Sequence, residues 1–127
     1  MKYLLDTHAV IWYMGNSLSL PPSTKEIIDS QENHIYLSSI SLWEIAIKVN
    51  LGKLKLSLDF DELLNKIVNS DFNILQIENE HLKTLAALPF LHKDPFDRLL
   101  VSTAITENLI IITSDENIYK YNVQWIF

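Results

Sequence analysis

The chain has 127 residues, a hydrophobic share of 48% and a net charge of −6. That length and apolar content fit one globular domain, residues 1–127, and exclude a disordered chain. The lack of cysteine excludes disulfides and thiolate metal sites, and two glycines and four prolines argue against a turn-rich β-sandwich.

Nine lysines stand beside a single arginine, Arg98. Such a charge balance is a weak footprint for nucleic acid, which favours basic surfaces. It suits a basic protein partner instead. Metal ligation would change the picture, because a bound cation cancels acidic charge locally. Asp6 interrupts the N-terminal apolar run too early for a signal peptide, and no apolar run is long enough to cross a membrane. A soluble cytoplasmic protein is expected.

Lys2 to Leu5 reads as a short buried strand, and Thr7 to Tyr13 as a helix. After a loop over residues 17–22, Ser23 to Ser30 reads as a helix with Ser23 and Glu26 at capping-box spacing. His34 to Ser38 alternates as a second strand. Ser41 to Val49 carries Leu42, Ile45, Ala46 and Val49 on one helical face, and Gly52 marks its end. Asp59 to Asn69 is a further helix, Phe72 to Ile77 a third strand, and Asn79 to Leu88 a helix stopped by Pro89. Asp94 caps the next helix, with Pro95 at its first position, and this helix runs to about Asn108. Leu109 to Thr113 is the fourth and most apolar strand. Asn117 to Tyr121 reads as a short helix and Gln124 to Phe127 as an edge strand. Strands alternating with helices predict an α/β domain with a mostly parallel central sheet flanked by helices.

The acids fall at telling places. Asp6 closes the first strand, Asp115 follows the fourth through Thr113 and Ser114, Glu44 lies just past the second, and Asp94 and Asp97 open a helix. In an open parallel sheet the carboxyl ends of the strands share one edge, where ligands bind. Carboxylates gathered there repel one another unless a cation neutralises them, and oxygen-only ligands suit Mg²⁺ or Mn²⁺. Each acid also has a plain structural role available. Asp6, Asp94 and Asp115 can cap helices or turns, and Asp97 suits a first helical turn. Glu44 fits a capping box with Ser41 and an i,i+4 pair with Lys48. Their joint placement carries the functional reading.

The histidines show no H-E-x-x-H spacing, and no phosphate-binding glycine loop is present. His34 and His81 read as surface or boundary residues. His92 and Arg98 flank the Asp94–Asp97 pair, where they suit either phosphate or the nearby acids. Lys48, Lys53 and Lys55 form a modest basic cluster whose default is a solvated face. Trp12, Trp43 and Trp125 read as core or interface residues.

Taken together, these segments resemble a PIN-domain ribonuclease, specifically a VapC-type toxin of a type II toxin–antitoxin pair. The resemblance rests on Leu4-Leu5-Asp6-Thr7-His8, on residues 39–48 around Trp43-Glu44-Ile45, and on Gly52-Lys53-Leu54. It continues through Leu88-Pro89 with His92, Asp94-Pro95-Phe96-Asp97-Arg98-Leu99-Leu100, and Thr113-Ser114-Asp115. It implies a PIN fold and an acidic site binding Mg²⁺ or Mn²⁺. Asp6, Glu44 and Asp97 match the family's three acids in order, and Asp115 stands in the place of a fourth. Asp94 belongs to one variant of the motif. The resemblance also implies RNA cleavage, a homodimer and inhibition by a cognate antitoxin. Asp6 and Asp97 are then the expected direct metal ligands, with Glu44 and Asp115 holding water or a second ion.

Two other functions fit parts of the pattern. An aspartate-dependent phosphatase uses a strand-end Asp but needs a D-x-D arrangement, and here the residues are Asp6-Thr7-His8. A non-catalytic α/β domain that binds a partner would keep the acids as caps and surface charge.

Overall fold

The computed structural model describes residues 1–127. Its sheet is built around β1 (Lys2–Leu5), whose side chains alternate between two cores. Tyr3 and Leu5 enter one buried cluster and Leu4 the other. A strand covered on both faces must be apolar on both, which explains the run of three hydrophobic residues after Lys2. On one side of β1 lie β2 (His34–Ser38) and β3 (Asn73–Leu75), and on the other β4 (Ile110–Ile112) and β5 (Trp125–Ile126). All the pairings are parallel, in the order β3-β2-β1-β4-β5. Leu5 is in register with Leu37 on β2 and Ile112 on β4. The chain leaves β1 towards β2 and β3, then crosses to β4 and β5. The strand order therefore reverses between β1 and β4, and this switch point is where such sheets open a crevice.

Seven helices complete the layers: α1 (Thr7–Met14), α2 (Pro22–Asp29), α3 (Ser39–Asn50), α4 (Phe60–Val68), α5 (Asn79–Ala86), α6 (Pro95–Glu107) and α7 (Glu116–Tyr119). Ala9, Val10, Met14, Ile28, Ile45, Leu63 and Ile67 cover the face that carries Leu5, Leu37 and Ile112. Leu99, Leu100, Val101 and Ala104 of α6 cover the opposite face over Leu4 and Ile111. None of the helices is long and apolar enough to cross a membrane.

The single α/β domain with a parallel sheet agrees with the sequence reading, and β1 and β2 have the predicted bounds. Other boundaries shift. The third strand is only Asn73–Leu75, and the short helix before the last strand is Glu116–Tyr119. α2 starts at Pro22 with Pro21 in the cap position and no side-chain cap, so Ser23 and Glu26 form no capping box. α3 starts two residues early. Ser38 caps it by accepting from the Ile40 amide at 3.2 Å, which leaves Ser41 inside the first turn and dissolves the expected Ser41–Glu44 box.

The end of α6 sets the entry to β4. Asn108 adopts a left-handed conformation with φ 55°, and the Leu109 amide donates back to the Ala104 carbonyl at 2.9 Å. Asparagine tolerates this conformation and a β-branched residue does not. Asn108→Val should therefore destabilise the fold by roughly 1–2 kcal/mol, while Asn108→Gly should stay close to the parent. Urea unfolding of the three proteins measures the difference.

Candidate acidic site

Asp6 is the first residue past β1, and its amide still donates to the Ile112 carbonyl at 3.1 Å. The carboxylate then turns to cap α1, where Oδ1 accepts from the Ala9 amide at 2.8 Å. Only 5% of Asp6 is exposed. Burial lifts its carboxyl above the ordinary range, against the opposing effects of the Thr113 hydroxyl and the Ala9 amide. Thr113 is the first residue past β4, is wholly buried, and accepts from the Asp115 amide at 3.0 Å through its hydroxyl. Asp115 in turn caps α7 by accepting from the Asn117 amide. The β1–β4 switch point thus delivers two carboxylates with one threonine between them.

Glu44 comes from the second turn of α3 and is 4% exposed. Its Oε1 accepts from the Thr7 hydroxyl at 2.6 Å, and its Oε2 forms an ion pair with Lys48. With its one proton given to Glu44, Thr7 can accept from the Ser41 hydroxyl, 3.1 Å away. A buried carboxylate held by a hydroxyl and an ammonium is satisfied and fixed in orientation.

α6 runs back towards β4, so its first turn lies at the same carboxyl edge of the sheet. Asp94 caps it, with Oδ1 accepting from the Phe96 and Asp97 amides at 2.9 and 3.0 Å. Asp97 follows in that turn. Partial burial, followed by the charges of Asp94, Asp115, Glu44 and Asp6, pushes the Asp97 carboxyl up to about 8. All the acids singled out from the sequence therefore act on this one carboxylate. Three of them, Asp6, Asp94 and Asp115, also take the capping roles that the sequence allowed.

His92 lies between Asp97 Oδ2, at 3.3 Å from its Nε2, and the Tyr121 hydroxyl, at 2.8 Å from its Nδ1. Arg98 has no acidic partner. Its guanidinium donates to the Pro89 carbonyl and to Tyr121, and it stacks over Phe90. His81 corrects the sequence reading: it is 1% exposed rather than a surface residue, and bridges the Glu78 amide and Glu107. Trp43 and Trp125 are exposed rather than core residues, although Trp43 meets Phe96 edge to face and Trp125 stacks on Tyr119. The sequence reading passed over Thr7 and Thr113 as groups touching the acids. Their hydroxyl types and their places beside Asp6 and Asp115 were the available signal.

The donor chemistry fits a hard divalent cation, since the converging acids offer only oxygen and repel one another. As they stand, no three acidic or histidine side chains form a group that could hold a metal ion. Mg²⁺ needs fewer, because it keeps several waters and binds through one or two carboxylates. An open cleft of about 540 Å³ lies elsewhere, at the amino ends of β2 and β3 between Tyr13, Asp29, Asn33 and Asn73. The convergence of charge, rather than concavity, marks the acidic edge as the candidate site.

The PIN-domain family model matches residues 3–124. The chain belongs to the PIN-domain family. Among solved structures it is similar to VapBC2 from Rickettsia felis bound to a promoter DNA fragment, with a TM-score of 0.76 and 21% identity. That match covers 99% of this chain and 98% of the other. DNA-bound VapBC from Salmonella typhimurium gives a TM-score of 0.74 at 15% identity, covering 99% and 97%. FitAcB from Neisseria gonorrhoeae gives 0.66 at 23% identity, covering 98% and 96%. At these identities the likeness establishes the fold. A comparison with curated proteins gives no significant match.

The raised Asp97 carboxyl of this PIN domain makes stability depend on pH. An unfolded aspartate titrates near roughly 3.9, and the folded one near about 8. Between those values the folded chain holds a proton that the unfolded chain has lost. Stability should fall as pH rises through that window and level off above it. Thermal melts in EDTA from pH 5 to 9 should show this decline in the parent and a flatter profile in Asp97→Asn. Parallel profiles for the two proteins would remove Asp97 as the source.

Proposed function

We propose that this PIN domain is a metal-dependent endoribonuclease and the toxin of a type II toxin–antitoxin pair. The observation that carries the reading is the convergence of Asp6, Glu44, Asp94 and Asp115 on Asp97 at the strand-order switch point. The similarity to solved VapBC and FitAB complexes supports the toxin part of the proposal.

Asp6 and Asp97 would hold Mg²⁺ or Mn²⁺. When bound, such an ion supplies Lewis-acid chemistry, lowering the pKa of water and stabilising charge on a phosphoryl oxygen. The protein side of the reaction belongs to fixed oxygens. Glu44, clamped by Thr7 and Lys48, orients the attacking water and receives its proton. Asp115, anchored through one oxygen by the Asn117 amide, retains its other oxygen for a hydrogen bond to water. His92 steadies Asp97 from the side of Tyr121. The products would be those of hydrolysis at an RNA phosphodiester. The protein would act in the cytoplasm as a homodimer, with its antitoxin presenting Arg or Lys to the acidic edge.

The capping roles of Asp6, Asp94 and Asp115 are what a non-catalytic partner-binding domain would also display. A calorimetric Mn²⁺ titration separates the two readings, because acids serving only as caps bind no ion tightly. The phosphatase reading lacks its second acid: Thr7 is bonded to Glu44, and His8 is exposed.

Purified protein should cut RNA in Mg²⁺ or Mn²⁺ and leave it intact in EDTA. Equal cleavage in EDTA would remove the metal-dependent mechanism. Asp97→Asn should abolish cleavage, and Mn²⁺ should raise its melting temperature less than that of the parent. An equal Mn²⁺ shift in both proteins would show that Asp97 is not a ligand.

A further inference from the structure

We infer that Lys48 is the phosphate-binding cation of this site, holding Glu44 with one donor and an RNA backbone phosphate with another. The inference rests on the ribonuclease reading and answers a difficulty it leaves. A chain of net charge −6 with one arginine must bring a polyanion to a cluster of carboxylates. Some cation at the acids has to meet the phosphate.

The two basic groups that flank Asp97 already have partners of their own. Arg98 is tied through Nη1 to the Pro89 carbonyl and Tyr121, with its guanidinium carbon 4.8 Å from the centre of the Phe90 ring. His92 is engaged on both ring nitrogens, by Asp97 and Tyr121. Lys48 alone among the lysines forms an ion pair with one of the site's acids, and its ammonium also lies within the fields of Asp94 and Asp97. An ammonium carries three donors, and Glu44 takes one. The Lys48 side chain is 34% exposed against 5% for Glu44, so the cation faces solvent while the carboxylate stays buried behind it.

The root of the side chain is equally fixed. α3 ends in a Schellman motif: the Lys53 amide donates to the Lys48 carbonyl at 2.9 Å and the Gly52 amide to the Val49 carbonyl at 3.1 Å. Gly52 takes the left-handed conformation that this ending requires, with φ 70°. A lysine pinned at its backbone and at its tip projects its remaining donors in a narrow range of directions, beside the group that handles the attacking water.

A structural role for Lys48, as nothing more than the partner of Glu44, predicts different substitutions to be tolerated. Lys48→Gln keeps a donor for Glu44 and loses the charge, whereas Lys48→Arg keeps both. Steady-state cleavage of a labelled single-stranded RNA in Mn²⁺, across a range of KCl concentrations, tells the roles apart. Lys48→Gln should lose roughly ten-fold or more in kcat/KM, the scale of a charge-assisted hydrogen bond. Its plot of log kcat/KM against log salt should be shallower by about 0.7, one phosphate contact on a single strand. Lys48→Arg should stay near the parent, and so should Lys25→Met, which removes an equal charge at an exposed pair with Asp29. A folded Lys48→Gln with the parent's kcat/KM and salt slope overturns the inference alone. A parent that cuts no RNA overturns the ribonuclease reading and the inference together.

A second measurement uses the unmodified protein. Neutral methylphosphonates are placed in turn at the linkages around the cut. One position should reproduce the loss seen in Lys48→Gln. Uniform tolerance of all the neutral linkages would overturn the inference.

Discussion

Five carboxylates act on one another at the carboxyl edge of the sheet, and holding them there is the demand that shapes the surrounding structure. Like charges in a partly desolvated place favour protonation or separation. Asp97 shows the first response, its carboxyl raised to about 8. Separation is prevented by the backbone. Asp6, Asp94 and Asp115 are each the N-cap of a helix, so each carboxylate is anchored by amides that have no helical partner of their own. A cap contributes about 0.5–2 kcal/mol, enough to offset part of the repulsion. The capping and ligand-binding roles of an acid are therefore compatible, because a cap takes one carboxylate oxygen and a carboxylate has two.

Glu44 follows a different solution, because it sits within a helix rather than at its start. Thr7 reaches it from the residue after Asp6, and Lys48 reaches it from one turn further along α3. The Thr7 contact crosses from the end of β1 to the helix that follows β2, so the register of those two strands sets the distance between Asp6 and Glu44. Leu5 opposite Leu37 places both chain exits at the same height. A slip of one residue would exchange the side chains that fill the two cores and move Thr7 away from Glu44 together. The pattern of apolar residues that forms the sheet is thus the same information that assembles the acids.

Much of this was legible in the sequence, and the rest was hidden for identifiable reasons. β1 was readable as a short apolar run that ends at an acid, and β2 as a short alternation. The switch-point acids were readable because they follow apolar runs directly. The start of α3 was ambiguous, since Ser38 and Ser41 both precede helical residues. The strand continues to Ser38, and that exit decides between them. His81 was hidden by distance in the chain. Its burial depends on Glu107, at the far end of α6, and on the fold bringing α5 against α6. Arg98 looked like a partner for the acids beside it, but a helical turn points it towards Pro89 and Tyr121. Local spacing gives neighbours along the chain and says little about side chains that meet across elements.

The acidity of the chain bears on what it can bind as well as on where it binds. A hard cation at the edge removes the repulsion and displaces the proton that Asp97 otherwise holds, because a ligating carboxylate must be ionised. The guanidinium or ammonium of a protein partner can neutralise the same oxygens. Metal and basic partner are then alternative answers to one electrostatic demand. Under the proposed function a polyanionic substrate belongs only with the first, since a partner's Arg or Lys inserted at the carboxylates occupies the place the phosphate would take. The same five acids can therefore favour substrate when a cation is present and exclude it when a basic side chain takes the cation's place.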